Sequence, residues 1–466
     1  MTKGEESTTS STSCLLSSLQ GQLKDVDNQI VALTMSRSHI QSQLNRLIND
    51  TALISSLPHE ILSMIFEAGH ALQEAQPSGS PFELVVSQVS RAWRTVGTQT
   101  PRLWANVCIS SEFRWPIHRA AMYLARSKAV DVDLQIHMNP NGSKQLVISS
   151  LCDLILPHVH RWRQLLVDSY SHPDLVALIL GLSSTTAPRL EHLHIALVDP
   201  IASFETKNIP HNIFAGGAPS LAYVQVIGIN LHCCLPPLQS ATTIHLSEVD
   251  KDFYTSHNQL FVMLNDLPML THLVIHCEIL HSWEPTTTIL LPALHLLHIK
   301  AGPNDEEQEI SGFMVTVSAP SLHSLILEGV ISQDFDLFIG WSDLPRHPSL
   351  RSLTVRAFDH GSLTWRDWMG LMRVLPSITE VTATYPKHIL RALREEDYSP
   401  LSGKPGWPGL NLVLEGSPDD LEKDLVETMT ARAIARCPII DVIFPGSILS
   451  DVIKDELERQ QKRVEI

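Results

Sequence analysis

The sequence lacks the motifs that mark many enzyme active sites. It contains no Gly-x-x-x-x-Gly-Lys-Ser/Thr loop for nucleotide phosphates, no Gly-x-Ser-x-Gly nucleophile turn and no His-Glu-x-x-His zinc helix. A hydrolase built on this chain would have no recognisable catalytic motif. We therefore expect a protein without enzymatic activity, without a cofactor and without a bound metal.

Cysteine is scarce and irregularly spaced. The chain has 7 cysteines in 466 residues, at positions 14, 108, 152, 233, 234, 277 and 437. The number is odd, and the adjacent pair Cys233 and Cys234 fits neither a Cys-x-x-Cys redox motif nor a zinc knuckle. We expect reduced, mostly buried thiols, which suit a protein of the cytoplasm, the nucleus or both.

The chain also lacks a basic excess and any long apolar run. It carries 34 Lys and Arg against 50 Asp and Glu, a net charge of −16, which disfavours a nucleic-acid surface. No apolar run reaches the roughly 18 residues of a membrane span, and the N-terminus has no basic-then-apolar signal peptide. We expect no membrane and no nucleic-acid partner, and the length predicts two to four domains.

The first pattern that is present is a heptad-like repeat. Residues 1–20 include a Ser/Thr-rich stretch and are predicted to be a disordered tail, whereas residues 21–50 predict a coiled-coil-like helix. The seam positions alternate in spacing between three and four: Leu23, Val26, Ile30, Leu33, Arg37, Ile40, Leu44 and Leu47. Two interpretations stay open, self-association through residues 23–47 or an amphipathic helix that lies against its own protein.

Residues 51–110 predict a small helical module. Pro58 fits the first position of a helix. Apolar side chains at helical spacing form one face of it: Leu57, Ile61, Leu62, Ile65 and Phe66. A second helical stretch carries Val86, Val89, Trp93 and Val96, and Pro101 stops it. About 50 residues make a small core, so we expect part of the apolar surface to face a partner.

The same residues carry a family resemblance. Residues 57–66 (L-P-x-E-I-L-x-x-I-F), 89–94 (V-S-x-x-W-R) and 101–104 (P-x-L-W) resemble, in this order, the F-box. The resemblance implies a three-helix module that docks on a Skp-type adaptor and, through it, on a cullin of a ubiquitin ligase. It implies a surface formed or supported by Leu57, Pro58, Ile61, Leu62, Ile65, Phe66, Val89, Trp93, Leu103 and Trp104. Residues 70–82 look like an insertion, and an ordinary helical hairpin is the alternative interpretation.

The second strong pattern is a repeat of the form Pro-x-Leu-x-x-Leu-x-aliphatic. It occurs at Pro188, Pro219, Pro268, Pro292, Pro320, Pro348 and, with Ile and Val in place of the leucines, Pro376; a degenerate copy lies near Pro237. From Pro268 the intervals are 24, 28, 28 and 28 residues, within the range of leucine-rich repeats. Helical runs at residues 260–264 and 365–374 stand between copies. Each unit is therefore predicted to be a helix, a proline turn and a short strand.

Stacked units of this kind can bury the faces that one unit alone cannot. The array resembles an irregular leucine-rich repeat and predicts an α/β fold. An N-terminal helical F-box module is followed, over residues 111–446, by a curved leucine-rich-repeat-like α/β solenoid with a parallel concave sheet. Before the repeats we expect a helix from Pro116, a strand at 129–136, a helix at 145–156 and a strand near 160–167. A helix from Pro418, a strand at 439–444 and a charged capping helix in residues 447–466 complete the prediction.

Histidine is abundant, with 23 residues, many of them at spacer positions of the repeat. These are His192, His194, His245, His272, His276, His295, His298 and His323. We expect solvated side chains along the concave face, which could make partner binding sensitive to pH between about 6 and 7. A metal site would need several of them to converge. Trp341, Trp365 and Trp368 predict either core packing or a recognition patch, and residues 304–309 a solvated acidic loop.

Together these patterns predict a substrate-recognition subunit of a Skp–cullin–F-box ubiquitin ligase. The F-box-like module would bind the adaptor, and the strand faces between residues 188 and 382 would bind a protein target that the sequence does not identify. The alternative is a leucine-rich-repeat scaffold that binds a partner without any ligase role.

Overall fold

The computed structural model describes residues 6–75, 80–139, 147–198, 212–229, 235–247, 257–276, 288–301, 309–340, 347–359, 361–394, 407, 409–446 and 450–464. The chain divides into two compact units, Met1–Trp104 and Ala105–Ile466. No helix within the described residues is long and apolar enough to cross a membrane. The first unit ends at Trp104, six residues before the end predicted for the module, and the segment after Trp104 enters the sheet of the second unit.

The N-terminal unit is helical. Its elements are α1 (Glu6–Thr51), a 3₁₀ turn (Leu53–Ser56), α2 (His59–Ala75), α3 (Phe82–Val89), α4 (Arg91–Gln99) and a second 3₁₀ turn (Pro101–Trp104). The prediction of a disordered tail is wrong for residues 6–20, which belong to α1. Leu16 and Leu19 continue the seam of the heptad pattern toward the N-terminus, and this explains why the helix does not stop at residue 21.

The second helical stretch of the module is two helices rather than the single stretch expected from Val86 to Val96. Ser90 separates α3 from α4 with an extended backbone, φ −152° and ψ 170°. Its hydroxyl accepts a hydrogen bond from the Trp93 amide at 3.2 Å, and its carbonyl accepts one from Arg94 at 3.0 Å. Ser90 is thus the N-cap of α4, a role for which serine is among the preferred residues.

The C-terminal unit contains a parallel sheet. Its strands are β1 (Asn106–Ser110), β2 (Val132–Met138), β3 (Trp162–Ser169), β4 (His192–Leu197), β5 (Tyr223–Ile227), β6 (Thr243–Ser247), β7 (His272–His276), β8 (Ile289–Leu290), β9 (Leu296–Lys300), β10 (Val317–Ser318), β11 (Ser324–Val330), β12 (Ser352–Ala357), β13 (Glu380–Thr384), β14 (Leu410–Glu415) and β15 (Ile439–Ile443). β8 and β10 form a separate pair, and the other 13 strands form one sheet in chain order. This confirms the predicted fold class, because a sheet whose strands follow chain order is the arrangement of a solenoid.

The helices of this unit are α5 (Pro116–Arg126), α6 (Ile148–Ile155), α7 (His172–Leu182), α8 (His257–Asn265), α9 (Glu309–Thr316), α10 (Asp336–Gly340), α11 (Trp365–Val374), α12 (Lys387–Arg394), α13 (Pro418–Ile434) and α14 (Asp451–Val464). α14 contacts α13 and the edge strand β15, and buries Ile453 and Leu457, as expected of a capping helix. Between β4 and β6 the described residues form turns and bends, and residues 199–211 and 230–234 lie outside the described part of the chain, so the helix predicted for every unit stays a prediction there.

The repeated prolines set a repeated turn. Pro188 is the second residue of a turn in which the Ala187 carbonyl accepts a hydrogen bond from the Leu190 amide at 3.3 Å. The same bond closes the turns at Pro219, Pro268, Pro292, Pro320 and Pro348. Proline suits the second position of a turn because its φ is already near −65°. In the degenerate copy the turn lies two residues later relative to Pro237, and the Ala241 amide donates to the Leu238 carbonyl at 2.9 Å.

The strands that follow these turns alternate between a buried and an open face. In β4, Leu193 and Ile195 are buried, and their register partners in β5, Val224 and Val226, are buried as well. Residues at even positions of β4, such as His194, lie on the other face. The core therefore lies on the side of the odd-numbered residues of β4, and the spacer residues of the repeats line the open face.

Candidate protein-binding sites

Helix α2 carries two adjacent apolar stripes rather than the single face that the spacing predicts. Leu62 and Phe66 are buried, whereas Ile61 and Ile65 are 42% and 44% exposed. Successive residues of an α-helix lie about 100° apart, so each neighbouring pair divides between an inward and an outward stripe. The helix also begins one residue later than expected: the Pro58 carbonyl accepts the bond from the Leu62 amide at 3.1 Å, so Pro58 precedes the first turn.

The inward stripe packs against α4, which the P-x-L-W segment at the end of the module also contacts. The rings of Phe66 and Trp93 lie 5.0 Å apart between centroids at an interplanar angle of 53°. Trp104 is fully buried, and its indole nitrogen donates a hydrogen bond to the Gly97 carbonyl at 2.8 Å. This interaction joins the P-x-L-W segment to α4 and satisfies a polar group that burial would otherwise penalise.

Burial sorts the ten residues of the predicted adaptor surface into three groups. Pro58, Ile61, Ile65 and Val89 are exposed. Leu57 and Trp93 are half-buried. Leu62, Phe66, Leu103 and Trp104 are buried, so of the two predicted roles, forming or supporting the surface, only support from inside the module is open to them. Adjacent apolar residues of a helix look alike in the sequence. Only the packing of α3 and α4 decides which of them is buried and which is exposed.

Several exposed apolar residues of the same surface were missed by the sequence reading. Met64 and Leu72 continue the outward stripe of α2 and are 65% and 75% exposed. Leu53, in the 3₁₀ turn before α2, and Val85, in α3, are exposed as well. Met64 and Leu72 lie three and eleven residues after Ile61, a helical spacing that could have revealed this stripe. We name the outward surface of Ile61, Met64, Ile65 and Leu72 the α2 stripe.

The segment at residues 70–82, predicted to be an insertion, is partly helix. α2 continues to Ala75, and residues 76–79 lie outside the described part of the chain. The Gln73 side chain closes the connection, because its amide nitrogen donates to the Ser80 carbonyl at 2.9 Å and its oxygen accepts from the Phe82 amide at 2.6 Å. The Phe82 ring then lies against Gly69, where an added Cβ would come within 2.4 Å of a ring carbon. The described part of this segment is thus built into the module and does not disrupt α2.

The described residues thus form a small helical module with an exposed apolar stripe, followed in the chain by a parallel sheet. Residues 54–110 match the family model described as F-box-like. The chain therefore carries an F-box-like domain, and the resemblance in its three sequence motifs is confirmed. The match covers about an eighth of the chain and none of the repeats. A search of curated proteins found no match.

The open face of the sheet places acids beside bases on neighbouring strands. Asp168 in β3 lies between two histidines, 3.1 Å from Nδ1 of His137 and 3.0 Å from Nε2 of His194. Glu328 in β11 lies 3.1 Å from Nε2 of His298 and 3.9 Å from Nζ of Lys300. The face thus presents carboxylates in contact with basic side chains, an arrangement suited to polar recognition of a protein surface.

Burial lowers the pKa of two histidines of this face, which bears on the predicted sensitivity to pH between about 6 and 7. Burial lowers the pKa of His276 to about 4, helped by the positive charges of Lys300, His245 and His298 and opposed by Glu328. Burial also lowers the pKa of His245, whose Nδ1 bonds to the Gln225 amide at 2.9 Å. His276 therefore stays neutral through this pH range, and the predicted sensitivity cannot come from it.

The remaining candidates add no reactive centre to the described residues. Among them, no group of three or more His, Cys, Asp or Glu side chains is placed to hold a metal. Cys108, Cys152 and Cys437 are reduced thiols, and burial raises the pKa of Cys108 and Cys152. Trp368 is a core residue, and Trp365 stacks under the Arg391 guanidinium at 5.0 Å. Cys233, Cys234, Trp341 and the acidic loop at 304–308 lie outside the described residues.

Proposed function

We propose that this chain is a substrate-recognition subunit of a Skp–cullin–F-box ubiquitin ligase. The observation that supports it most is the α2 stripe, an exposed apolar row inside the segment that matches the F-box-like model. An apolar row of this kind is favourable only when a partner removes it from water. In the proposed role a Skp-type adaptor covers the stripe and links the chain to a cullin.

In this proposal the open face of the sheet binds the protein to be ubiquitinated. The subunit performs no chemistry itself and works in the cytoplasm, the nucleus or both. It raises the effective concentration of the target near a ubiquitin-charged enzyme. Robust turnover of ester, phosphate or peptide substrates by the purified chain would contradict this part of the proposal.

Co-purification with a recombinant Skp-type adaptor tests the adaptor role. We expect wild-type chain to retain the adaptor and the double variant Ile61→Glu/Ile65→Glu to lose it, because two carboxylates would be buried without partners. Leu180→Glu is the matched control, since Leu180 in α7 is 47% exposed and lies in the other unit. This control should bind as the wild type does. Failure of the wild-type chain to bind would favour the repeat scaffold without a ligase role.

Proximity labelling tests the role of the open face. A chain with Ile61→Glu/Ile65→Glu should accumulate labelled targets, since they are no longer passed to the ligase. Adding Asp168→Asn and Glu328→Gln should deplete those targets, because both acids lie on the open face with two basic partners each. An unchanged set of labelled proteins would show that targets bind elsewhere.

A further inference from the structure

Helix α1 has an apolar seam that is longer than the heptad pattern first indicated. The helix is 46 residues long, which corresponds to about 69 Å. Leu16 and Leu19 add two positions ahead of Leu23, so the alternation of three and four runs unbroken from residue 16 to residue 47. Nine of its ten positions are aliphatic, and the tenth is Arg37.

This seam is solvent-exposed within the single chain. All side chains described in α1 from residue 15 to residue 48 are exposed, including Leu33 at 70%. Helices gain most of their stability in proteins from packing an apolar face, and an isolated helix in water is marginal. Ser and Thr, which are common in its first third, do not compensate with high helix propensity. The seam therefore requires an occupant from outside the chain.

The seam itself indicates a second copy as that occupant. The positions that flank it in a coiled coil are mostly uncharged, among them Gln20, Gln22, Gln29, Thr34, Ser36, Gln41 and Gln43. Flanking charges normally select a different partner helix or impose one alignment. Because such charges are scarce here, the seam can pair with a second copy of itself. The alignment of the two copies is then set by Arg37 and by the acids in the first half of α1.

The charges along α1 decide how two copies align. Residues 28–49 contain Arg37 and Arg46 and no acid, whereas Asp25 and Asp27 precede them. In a parallel pair the two Arg37 side chains would share one layer of the seam, with the nearest carboxylate, Asp27, ten residues away along either helix. In an antiparallel pair that aligns residue 16 with residue 47, Arg37 lies opposite Val26 and between Asp25 and Asp27 of the other copy. The antiparallel pair replaces a like-charge contact by an attraction.

We propose that α1 pairs with α1 of a second copy of this chain in an antiparallel coiled coil centred between residues 31 and 32. The dimer is independent of the adaptor role, because it uses the seam of α1 and not the α2 stripe. It places the C-terminal ends of the two seams about 45 Å apart. Each assembly then presents two F-box-like domains and two open sheet faces, and can hold a repetitive target at two points.

Light scattering of the full-length chain tests the dimer. We expect a mass twice the 51.9 kDa of one chain, and the mass of one chain for Ile30→Asp/Leu33→Asp, which places charges at the centre of the seam. Val31→Asp is the matched control, because Val31 is exposed on the helix but lies outside the seam. It should remain dimeric. A monomeric wild type, or equal dissociation by Val31→Asp, overturns the proposal, and a native circular dichroism spectrum shows that the variants fold.

Disulfide trapping tests the alignment. A Leu23→Cys chain and an Ile40→Cys chain, carrying tags of different size, are mixed and oxidised beside the wild type, which reports disulfides of the native cysteines. These two positions lie opposite each other when residue 16 aligns with residue 47, and both variants keep Arg37. Antiparallel pairing predicts a mixed disulfide between the two variants and little self-linked product from either. A self-linked Leu23→Cys dimer without the mixed product indicates a parallel pair and overturns the proposal.

Discussion

Ile65 and Phe66 are neighbours in α2 whose substitution by alanine should have opposite consequences. Phe66 is 1% exposed and packs against Trp93, so Phe66→Ala leaves a cavity and should lower the free energy of unfolding of the N-terminal unit by about 3–5 kcal/mol. Ile65 is 44% exposed, so Ile65→Ala should cost less than about 1 kcal/mol of stability.

The order reverses for adaptor binding. Complete burial of an isoleucine side chain contributes about 1.5–3 kcal/mol. Ile61 and Ile65 keep 42% and 44% of their surfaces exposed, so covering both should contribute about 2 kcal/mol to binding. The variant Ile61→Ala/Ile65→Ala should therefore raise the Kd for a Skp-type adaptor about thirtyfold.

Urea unfolding and isothermal titration calorimetry measure the two quantities on the same samples. We expect the two effects to fall on different variants. Phe66→Ala should unfold at a lower urea concentration, whereas Ile61→Ala/Ile65→Ala should unfold as the wild type does but bind the adaptor weakly. If the Ile variant loses as much stability as Phe66→Ala, the division of α2 into two stripes is wrong. If it folds normally and keeps its affinity, the stripe is not the docking surface.

Three further predictions concern the C-terminal unit. Arg432→Met should lower its free energy of unfolding by about 2–4 kcal/mol in urea titrations, because the buried guanidinium donates to the Cys437 and Trp407 carbonyls at 3.0 and 2.6 Å; a loss below 1 kcal/mol would contradict it. Gly228→Ala should cost about 1–3 kcal/mol by the same measurement, since φ is +68° and a Cβ would lie 2.4 Å from the Leu197 carbonyl oxygen; wild-type stability would refute this. Since the folded pKa of His276, about 4, lies below its unfolded value, its neutral form stabilises the fold fully above about pH 6.5, and this stabilisation is lost as the pH falls toward 4. His276→Gln should remove about 1–2 kcal/mol of that acid dependence, after allowance for the partial exposure of the ring, and an unchanged pH profile of stability would exclude His276 as its source.

The sheet could be predicted from the sequence because its determinants are local. Proline at the second position of each turn and a leucine two residues later define where each strand begins, and alternation then assigns the faces, as Leu193 and His194 show. The F-box-like module was recognisable for a different reason, since its three motifs occur in one order over about 50 residues.

Other features depend on packing that spacing does not encode. Ile61 and Leu62 are equally apolar, and only the position of α3 and α4 buries one and exposes the other. The two histidines that contact Asp168 come from β2 and β4. Their meeting depends on which strands lie side by side in the sheet, not on their spacing in the sequence. Arginine is rarely buried in proteins, yet Arg432 is buried and donates to carbonyls that lie after the end of α13 and at residue 407.

Hydrogen exchange of the full-length chain with and without a Skp-type adaptor tests the central claim most directly. Docking on the α2 stripe predicts that amides of α2 and α3 exchange more slowly in the complex, while those of β4 to β13 keep their rates. No protection in α2 at saturating adaptor, or protection confined to the sheet, would contradict the assignment of this module as the adaptor-binding site.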